Sequence, residues 1–357
     1  MAIPIQQARG IFTQATLAKY KESIKAPTFL SSFFKVKTTT AKYISIEVQR
    51  GTEKIAVDVL RGTSGNRNMF SKSTEKQYMP PFYNENFDAT ALDFYDLLFG
   101  ENLNPTRSVI GGLAAGVAEK LGELRLKIER AKELMASQVL ETGVVTLVNG
   151  DDIDFKRKAT SMKDNSGTPW STVTTDIESH LIAAGDFLRT YGKNTSKVLN
   201  MIVSGTVLVD LKKSDYFQDN ANFQQVRLVD VNLPQADSRG AAYHGRIAAG
   251  AYLVNIWSYD EMYTNASGTA TRYTDAKKVI ILPSEGTQFY FSHAGVPAII
   301  VDKSNAEFPA YIKQVANEYV INNYIDNQRK SHTFELMSAP LPVPVTVDMM
   351  YTMKVLA

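Results

Sequence analysis

The pattern of hydrophobic and polar positions is dominated by one segment, residues 104–143, that has the periodicity of a single long α-helix. Its apolar residues recur at steps of three or four positions: Val109, Leu113, Val117, Leu121, Leu124, Ile128, Ala131, Met135 and Val139. Asn104 and Pro105 suit the start of a helix, and Gly143 suits the left-handed residue that ends one. The sequence therefore predicts a helix over 105–142. This is far longer than the average of about eleven or twelve residues and is typical of a strut with a mechanical role.

The other faces of this predicted helix are charged. They carry Glu119, Glu123, Arg125, Lys127, Glu129, Arg130 and Lys132. The pairs Glu123–Lys127 and Arg125–Glu129 have the four-residue spacing that brings opposite charges together on a helix surface. We expect these residues to lie on the solvated side of the helix.

Residues 43–78 change to the two-residue period of β-strands. The apolar residues of 44–48 alternate with polar neighbours, as do those of 55–59, and the glycine-rich stretch 62–68 predicts a flexible tip. Two strands alone are marginally stable in water. Two interpretations stay open: the hairpin lies on another surface, such as a second subunit, or it packs on its own domain as an edge hairpin.

The rest of the chain mixes short helices and strands. The Asn149–Gly150 pair is predicted to turn between strands at 144–148 and 153–156. A capping pattern at Thr175–Glu178 predicts a helix that stops at Gly192. The buried face of that helix is predicted to consist of Ile177, Leu181, Ala184 and Leu188. Further strands are predicted at 198–203, 225–231, 251–257, 278–282 and 298–301, with a short helix at 206–213. This mixture predicts an α+β fold.

The C-terminal part contains prolines at alternate positions, Pro340, Pro342 and Pro344. They exclude a helix and disfavour a central strand, because proline cannot donate a backbone hydrogen bond. The final run, 345–356, is expected to pair with an early element of the chain and to close the domain that contains the long helix.

Composition narrows the class of protein. A chain of 357 residues with 44% hydrophobic residues suggests about two globular domains. No apolar run reaches the roughly 18 residues of a membrane span, and the first residues lack the pattern of a secretory signal, so we expect synthesis in the cytosol. The sequence contains no cysteine, which excludes disulfides and thiolate metal sites.

The charge balance argues against tight binding of nucleic acid. The chain has 39 basic and 37 acidic residues, and its densest basic patch is the short run Lys156–Lys158. Domains that grip duplex DNA usually carry a clear basic surplus. Any contact with nucleic acid is therefore expected to be loose and non-specific.

A search for chemistry predicts no catalytic, cofactor-binding or metal site. The glycine spacing of 111–116 resembles a phosphate loop, but Val117 and Ala118 stand where that motif has Lys and Ser or Thr. The acidic residues of 151–154 lack the spacing and closing glutamate of a calcium loop, which favours a solvated turn. The four histidines are widely separated in sequence: His180, His244, His293 and His332.

The order of the elements is more informative than any single residue. A basic arm is followed by a long hairpin, a very long helix, a short hairpin and an α+β region. Three short stretches add to this order: Ala26–Phe34, Asn165–Ser171 and Phe334–Leu341. Together they resemble the Hong Kong 97-type shell subunit, and specifically the major capsid proteins of lambda-type tailed phages.

That resemblance implies a division of the chain. The expected parts are an N-terminal arm (1–36), an extended loop (37–84), a peripheral domain with a spine helix at about 105–142 (85–170 and 320–357), and an axial domain (171–319). The family assembles as hexamers and pentamers into an icosahedral head that encloses double-stranded DNA, as a component of the virion. Scaffolding and portal proteins are implied partners, with a decoration protein as an optional one. Some relatives cross-link lysine to asparagine, but no such pair is assigned here.

Three other interpretations remain open from the sequence. A cellular nanocompartment shell of the same fold would enclose cargo enzymes instead of DNA. A phage tail or connector protein would assemble into tubes or rings. A cytosolic α+β enzyme with an unrecognised site would be a small, discrete species.

Overall fold

The computed structural model describes residues 25–48, 74–90, 109–147, 152–224, 235–265, 267–301, 310–326 and 331–357. Its helices are α1 (Val109–Thr142), α2 (Ile177–Thr190), α3 (Gly205–Lys213) and α4 (Asp215–Gln224), with 3-10 helices at Ser31–Phe33, Ala159–Ser161 and Val347–Met349. Its strands are β1 (Lys35–Thr38), β2 (Ile44–Val48), β3 (Thr74–Tyr78), β4 (Tyr83–Thr90), β5 (Val144–Thr146), β6 (Asp152–Asp154), β7 (Met162–Asp164), β8 (Val198–Val203), β9 (Gln235–Ala236), β10 (Ala241–Ala249), β11 (Tyr252–Tyr259), β12 (Met262–Thr264), β13 (Ala270–Arg272), β14 (Lys278–Pro283), β15 (Phe289–His293), β16 (Val296–Val301), β17 (Ala310–Val315), β18 (Val320–Asp326), β19 (Ser331–Ser338), β20 (Pro340–Pro344) and β21 (Tyr351–Lys354).

Several predicted features lie outside the described residues. They are the arm up to residue 24, the strand 55–59 with the tip 62–68, the helix start at Asn104 and Pro105, the Asn149–Gly150 turn, Asp151 and the strand 225–231.

The predicted long helix is confirmed as α1, which runs for 34 residues to Thr142. At about 1.5 Å per residue it is roughly 50 Å long. Gly143 ends it with φ of 75°, a conformation that residues with a side chain rarely adopt. The helix therefore stops where the sequence predicted, and the two strands that follow, β5 and β6, pair as the predicted short hairpin.

The ion pairs on α1 match the prediction only in part. Arg125 and Glu129 pair at 3.8 Å as expected. The predicted Glu123–Lys127 pair is wrong: Glu123 contacts Lys120 at 2.8 Å, and Lys127 reaches Glu85 of β4 at 3.1 Å. Lys127 pairs with Glu85 instead of Glu123 because α1 lies directly against β4.

The C-terminal half of α1 is buried on several sides instead of one. Its apolar residues Met135, Ala136, Val139 and Leu140 lie in the same core as the anchor segment Ala26–Phe34 and the strand β15. Lys132, predicted to face solvent, is only 4% exposed. The strut is thus wrapped by the rest of the chain over its last turns.

A seven-stranded mixed sheet forms the second main layer. Its order is β7-β21-β14-β8-β11-β10-β9, with β8 parallel to β11 and β21 parallel to β7. The helices α2 and α3 cover one face, where Leu181, Leu188 and Val207 pack against strand residues. The other face contributes Ile202 and Ile280 to the core around α1. The sheet therefore links the long helix to the α2–α3 layer.

The helix α2 has the predicted buried face, and the four residues named for it are all fully buried. Its ends differ slightly from the prediction. Asp176 is the N-cap and accepts a hydrogen bond from the Ser179 amide. The left-handed residue after the helix is Lys193 (φ 58°), whereas a side chain at Gly192 would collide with the carbonyls of Leu188 and Asp348.

The smaller sheets surround α1. One has the order β1-β15-β20 and another the order β18-β19-β4. The pairs β2–β3 and β16–β17 form two-stranded ribbons, called here the first and second ribbon. In the described part of the chain, no helix is both long and apolar enough to cross a membrane.

The proline-rich strand β20 lies at the edge of its sheet, as its prolines predicted. Its prolines face Phe289, Phe291 and His293 of β15. Because proline has no N–H, the hydrogen-bonded pairs of this ladder must be the alternate ones, whose N–H groups point at β15. The prolines then occupy the positions whose amides would point outward, so the outer side of β20 offers no donor.

Candidate functional site

The clearest functional arrangement is an anchor that holds the start of the described chain on α1. The carboxylate of Glu133 accepts hydrogen bonds from the amides of Leu30 (2.7 Å) and Ser31 (2.9 Å) and from the hydroxyl of Tyr259 (2.8 Å). Glu133 is fully buried, and its burial raises the pKa of the carboxyl despite these donors. The three donors satisfy a buried polar group that would otherwise be costly.

Aromatic packing completes this anchor. The Phe29 ring lies 5.3 Å from Trp257 and 5.8 Å from Tyr259. Phe34 lies 5.1 Å from Phe291 on β15. The stretch Ala26–Phe34, one of the three that carried the family resemblance, is therefore held on the body by its Phe29–Phe34 part, directly before β1 and the first ribbon.

The stretch Asn165–Ser171 closes the second core. The Trp170 side chain is fully buried, its backbone N–H donates to Val355 O (2.9 Å), and its indole N–H donates to His180 Nδ1 (3.0 Å). Burial lowers the pKa of His180, which keeps the imidazole neutral and able to accept. This contact joins the C-terminal strand to α2.

The stretch Phe334–Leu341 packs on α1. Leu336 lies in a small core with Leu124 and Ile128 of the helix, and Phe334 stacks on Phe87 of β4 at 5.3 Å. Thus all three stretches that carried the family resemblance are packing elements. Two of them pack around the long helix, and Asn165–Ser171 packs in the second core.

The densest basic patch is used for folding. The guanidinium of Arg157 is buried and donates to the carbonyls of Leu140 and Glu141 at the end of α1, and to Ser161 and Thr352. Burial lowers the pKa of Arg157 to about 10, so the group remains charged at neutral pH. An arginine that satisfies a helix C-terminus is not free to bind DNA.

The two lysines beside it are also engaged. Lys156 pairs with Asp154 at 2.5 Å, and Lys158 contacts Asp348 at 3.8 Å and lies over the Tyr191 ring. The patch therefore offers no concentrated positive charge. This supports the expectation of weak contact with nucleic acid.

The first ribbon leaves the body at a packed root. Ile44 is 5% exposed and Tyr78 lies 5.5 Å from Phe155. The strand that pairs with 44–48 is 74–78, a segment that the sequence pattern did not identify. Beyond the root, Met79 and Phe82 are half exposed.

The sequence pattern predicted only part of the second ribbon, the strand 298–301, which lies in β16. Val296 and Ala298 are buried at its base, whereas the successive residues Ile312, Lys313 and Gln314 of β17 are all exposed. Consecutive residues point to opposite faces of a strand, so β17 has exposed side chains on both of its faces. Ala298 of β16, directly opposite Lys313, is nevertheless buried, so β17 is the more exposed strand of this ribbon.

The four histidines each have a different neighbour in the fold. His180 contacts Trp170, His244 contacts Ser258, and His332 stacks on Phe334. His293 is fully buried beside Ser338. Among the described residues, no group of three His, Cys, Asp or Glu side chains could hold a metal ion.

Two buried charged residues, Glu133 and Arg157, are the most consequential side chains that sequence reasoning missed. A signal was present for Glu133, because residues 131–140 are apolar or small on almost every face of the helix. A helix of that kind is buried all round, so a charged residue in it needs internal partners. Arg157 had no comparable local signal, since its partners lie up to 195 residues away.

The chain is similar in sequence to one protein family and in structure to several solved proteins. The family model for phage major capsid protein E matches residues 13–355. Among solved structures, a protein assigned as the capsid protein of a prophage of Escherichia coli CFT073 is 16% identical, with 100% of each chain covered and a TM-score of 0.58. The SrpI encapsulin of Synechococcus elongatus PCC 7942 is 12% identical over 100% of this chain and 96% of that chain (TM-score 0.47). A chain from the mature capsid of bacteriophage PhiM1 is 11% identical over 94% of this chain and 89% of that chain (TM-score 0.48). No curated protein matches the chain by sequence.

Proposed function

The chain belongs to the phage major capsid protein E family, and from that premise we propose that it assembles into the closed icosahedral head of a tailed phage. The family match confirms the resemblance to phage major capsid proteins. The fold shared with the prophage protein confirms the Hong Kong 97-type α+β architecture. The protein is accordingly a structural component of a virion.

The observation that carries the proposal is the family match over residues 13–355, nearly the whole chain. The geometry supports it in physical terms. A helix of 34 residues contacts the segments that lead into or out of two ribbons, and apolar side chains are exposed beside the first ribbon (Tyr43, Met79 and Phe82) and on the second (Ile312). Elements of this kind gain stability when they lie on another copy of the chain, because a two-stranded ribbon is marginal alone.

The finer features of assembly are part of the proposal. Copies would form hexamers and pentamers, helped by a scaffolding protein and organised around a portal, with a decoration protein as an optional addition. Packaged double-stranded DNA would be contacted loosely, as the engagement of Arg157 and its neighbours supports. The chain would have no enzymatic activity and would be made in the host cytoplasm.

The domain division is also proposed, with an arm (1–36), an extended loop (37–84), a peripheral domain (85–170 and 320–357) and an axial domain (171–319). The two hydrophobic cores support two packing centres. One surrounds α1 and the other lies under α2 and α3. The strands β7 and β21 of the proposed peripheral segments join the sheet of the axial segment, so the two units share a continuous sheet.

Electron microscopy of the full chain, expressed alone and with candidate scaffolding protein, tests this function. We expect closed shells of uniform diameter. A small monodisperse species under both conditions, or open tubes and rings, would contradict the proposal. Particles isolated from the natural host should contain double-stranded DNA; enclosed enzymes instead would favour the nanocompartment interpretation.

A further inference from the structure

The roots of the two ribbons cross each other at one point of the fold. Residues 39–41 lead into the first ribbon, and residues 293–295 lead into the second. The Thr39 amide donates to His293 O at 2.9 Å, and the Gly295 amide donates to Ala41 O at 2.9 Å. The first bond continues the parallel pairing of β1 with β15, whereas the second is displaced by two residues from that register.

The crossing leaves no room for a side chain. A Cβ atom placed on Gly295 would lie 2.7 Å from the carbonyl carbon of Thr40 and closer still to its oxygen. Gly295 does not have a positive φ, so it is not required here for its backbone conformation. The glycine is needed because the backbone of the first ribbon's root passes directly over it.

The segment that leaves the second ribbon after β17 is also held on the body. Glu318, just after β17, pairs with the buried Lys132 of α1 at 2.6 Å, and its carbonyl accepts from Ser338. The Ala294 amide donates to Ala339 O at 3.0 Å. Both ends of the second ribbon are thus tied to the body, and one of these ties is shared with the first ribbon.

Exposed apolar side chains concentrate around the same two ribbons. Of the thirteen large apolar side chains that are exposed among the described residues, seven lie at the first ribbon's root or on β17 and β18: Val36, Tyr43, Met79, Phe82, Ile312, Ile321 and Tyr324. Ile312 is the most exposed of the thirteen, at 74%. Four of the seven flank a ribbon or lie on one: Tyr43, Met79 and Phe82 beside the first, and Ile312 on the second.

We propose that the two ribbons, locked together where Thr40 passes over Gly295, form a single two-pronged contact for a second copy of this chain. The proposal rests on the proposed function, because a shell subunit meets further copies of itself along its edges. The lock makes the position of one ribbon depend on the other. Contacts made by the second ribbon therefore help to hold the first in its binding orientation.

A double-mutant cycle on assembly tests this coupling. Gly295→Ala displaces the crossing, and Ile312→Asp removes an apolar contact of the second ribbon without touching the subunit core. Each change is expected to raise the concentration needed for shell formation about tenfold, the effect of losing about 1.4 kcal/mol of contact energy. If the ribbons act as one contact, the double variant should raise it by clearly less than the product of the two effects.

Matched controls separate the coupling from general damage. Gly167→Ala adds a methyl group where nothing lies within 4 Å, and Val209→Asp changes a half-exposed apolar residue on α3. Both should assemble like the unmodified chain. Independent, multiplying effects of Gly295→Ala and Ile312→Asp would overturn the two-pronged contact while leaving the shell function intact. Failure of the unmodified chain to form shells would overturn both.

A second measurement covers the case in which Gly295→Ala does not fold. Hydrogen exchange can be followed in shells of the unmodified chain and of Ile312→Asp. We expect the amides of β2 in the first ribbon to exchange several-fold faster in the Ile312→Asp shells, because the lock no longer receives support from the second ribbon. Identical exchange of β2 in both shells would overturn the proposal.

Discussion

The carboxylate of Glu133 accepts the backbone N–H of Leu30 at 2.7 Å across 103 residues of sequence. This bond joins the buried C-terminal half of α1 to the segment that precedes β1. Because the same carboxylate also accepts from Ser31 and Tyr259, it acts as the common acceptor for three otherwise unpaired donors. One side chain of the long helix therefore helps to fix the position of the segment that leads into β1 and the first ribbon.

Removing that acceptor should destabilise the subunit strongly. Glu133→Ala leaves two backbone amides and one hydroxyl without an acceptor, at a cost of about 1–3 kcal/mol for each buried group. We expect the free energy of unfolding to fall by about 3–5 kcal/mol in urea titrations of the unassembled subunit. Glu123→Ala, which removes an exposed carboxylate paired with Lys120, should change it by less than about 1 kcal/mol. Equal losses in the two variants would show that Glu133 is not the anchor.

Arg157 should be essential for the end of the long helix, whereas its neighbour should not. Arg157→Met removes the donors that satisfy the Leu140 and Glu141 carbonyls, and we expect a loss of about 3 kcal/mol or more in the free energy of unfolding. Lys156→Met removes an exposed charge and should leave the free energy of unfolding nearly unchanged. Thermal unfolding of the two variants side by side measures the difference. A similar melting temperature for both would contradict this role of Arg157.

Two helical glycines should respond in opposite ways to alanine. A Cβ atom at Gly185 of α2 would lie 2.5 Å from the Tyr252 ring, so Gly185→Ala should destabilise the subunit by about 1–3 kcal/mol through overpacking. At Gly122 of α1 nothing lies within 4 Å, and Gly122→Ala should stabilise it by about 0.5–1 kcal/mol. Urea unfolding checks both signs. A stabilising Gly185→Ala would mean that Tyr252 can move aside.

Acid should weaken the subunit partly through His293. Burial, together with the nearby positive charge of Lys132, lowers the pKa of His293 to about 4, although Glu318 opposes the shift. The unfolded imidazole, with an ordinary pKa of 6.5, binds a proton first as the pH falls, so stability is complete above about pH 6.5 and is lost as the pH falls towards 4. The loss due to this residue should reach about 3 kcal/mol.

His293→Gln tests this assignment, because it removes the titrating group from the buried site. The variant should show a flatter dependence of unfolding free energy on pH between 4 and 6.5. His332→Gln, which replaces the imidazole that lies beside the Phe334 ring, serves as the matched control, and the flattening in His293→Gln should exceed any change that it produces. An unchanged slope in His293→Gln would assign the acid sensitivity to other groups.

Local patterns in the sequence predicted the elements that depend on local interactions. The long helix, the buried face of α2 and the strand at Val198–Val203 follow from periodicity and capping alone. The strand that pairs with Ile44–Val48 could not be predicted from such patterns. The residues of Thr74–Tyr78 are mostly polar, and their pairing is set by the position of the ribbon's two ends on the body.

The buried polar contacts could not be predicted either, because they also depend on segments that are distant in sequence. Lys132 looks like a surface residue of a charged helix, and only the surrounding strands turn it into an interior group. For Glu133 the neighbouring small and apolar residues indicated burial, but nothing local indicated its partners Leu30, Ser31 and Tyr259. Gly295 gave no sequence signal either, since its need for a bare backbone comes from a segment about 250 positions earlier. Close approaches between distant segments depend on the tertiary fold, whereas helix stops such as Gly143 depend on their neighbours.

The alternating prolines of β20 explain how this strand can be the edge of its sheet and still be fully buried. All five of its residues are buried, and the strand lies against α1. A buried amide without an acceptor is costly, and the prolines remove the three amides that would point away from β15. The strand can therefore end the sheet inside the body without leaving a donor unpaired.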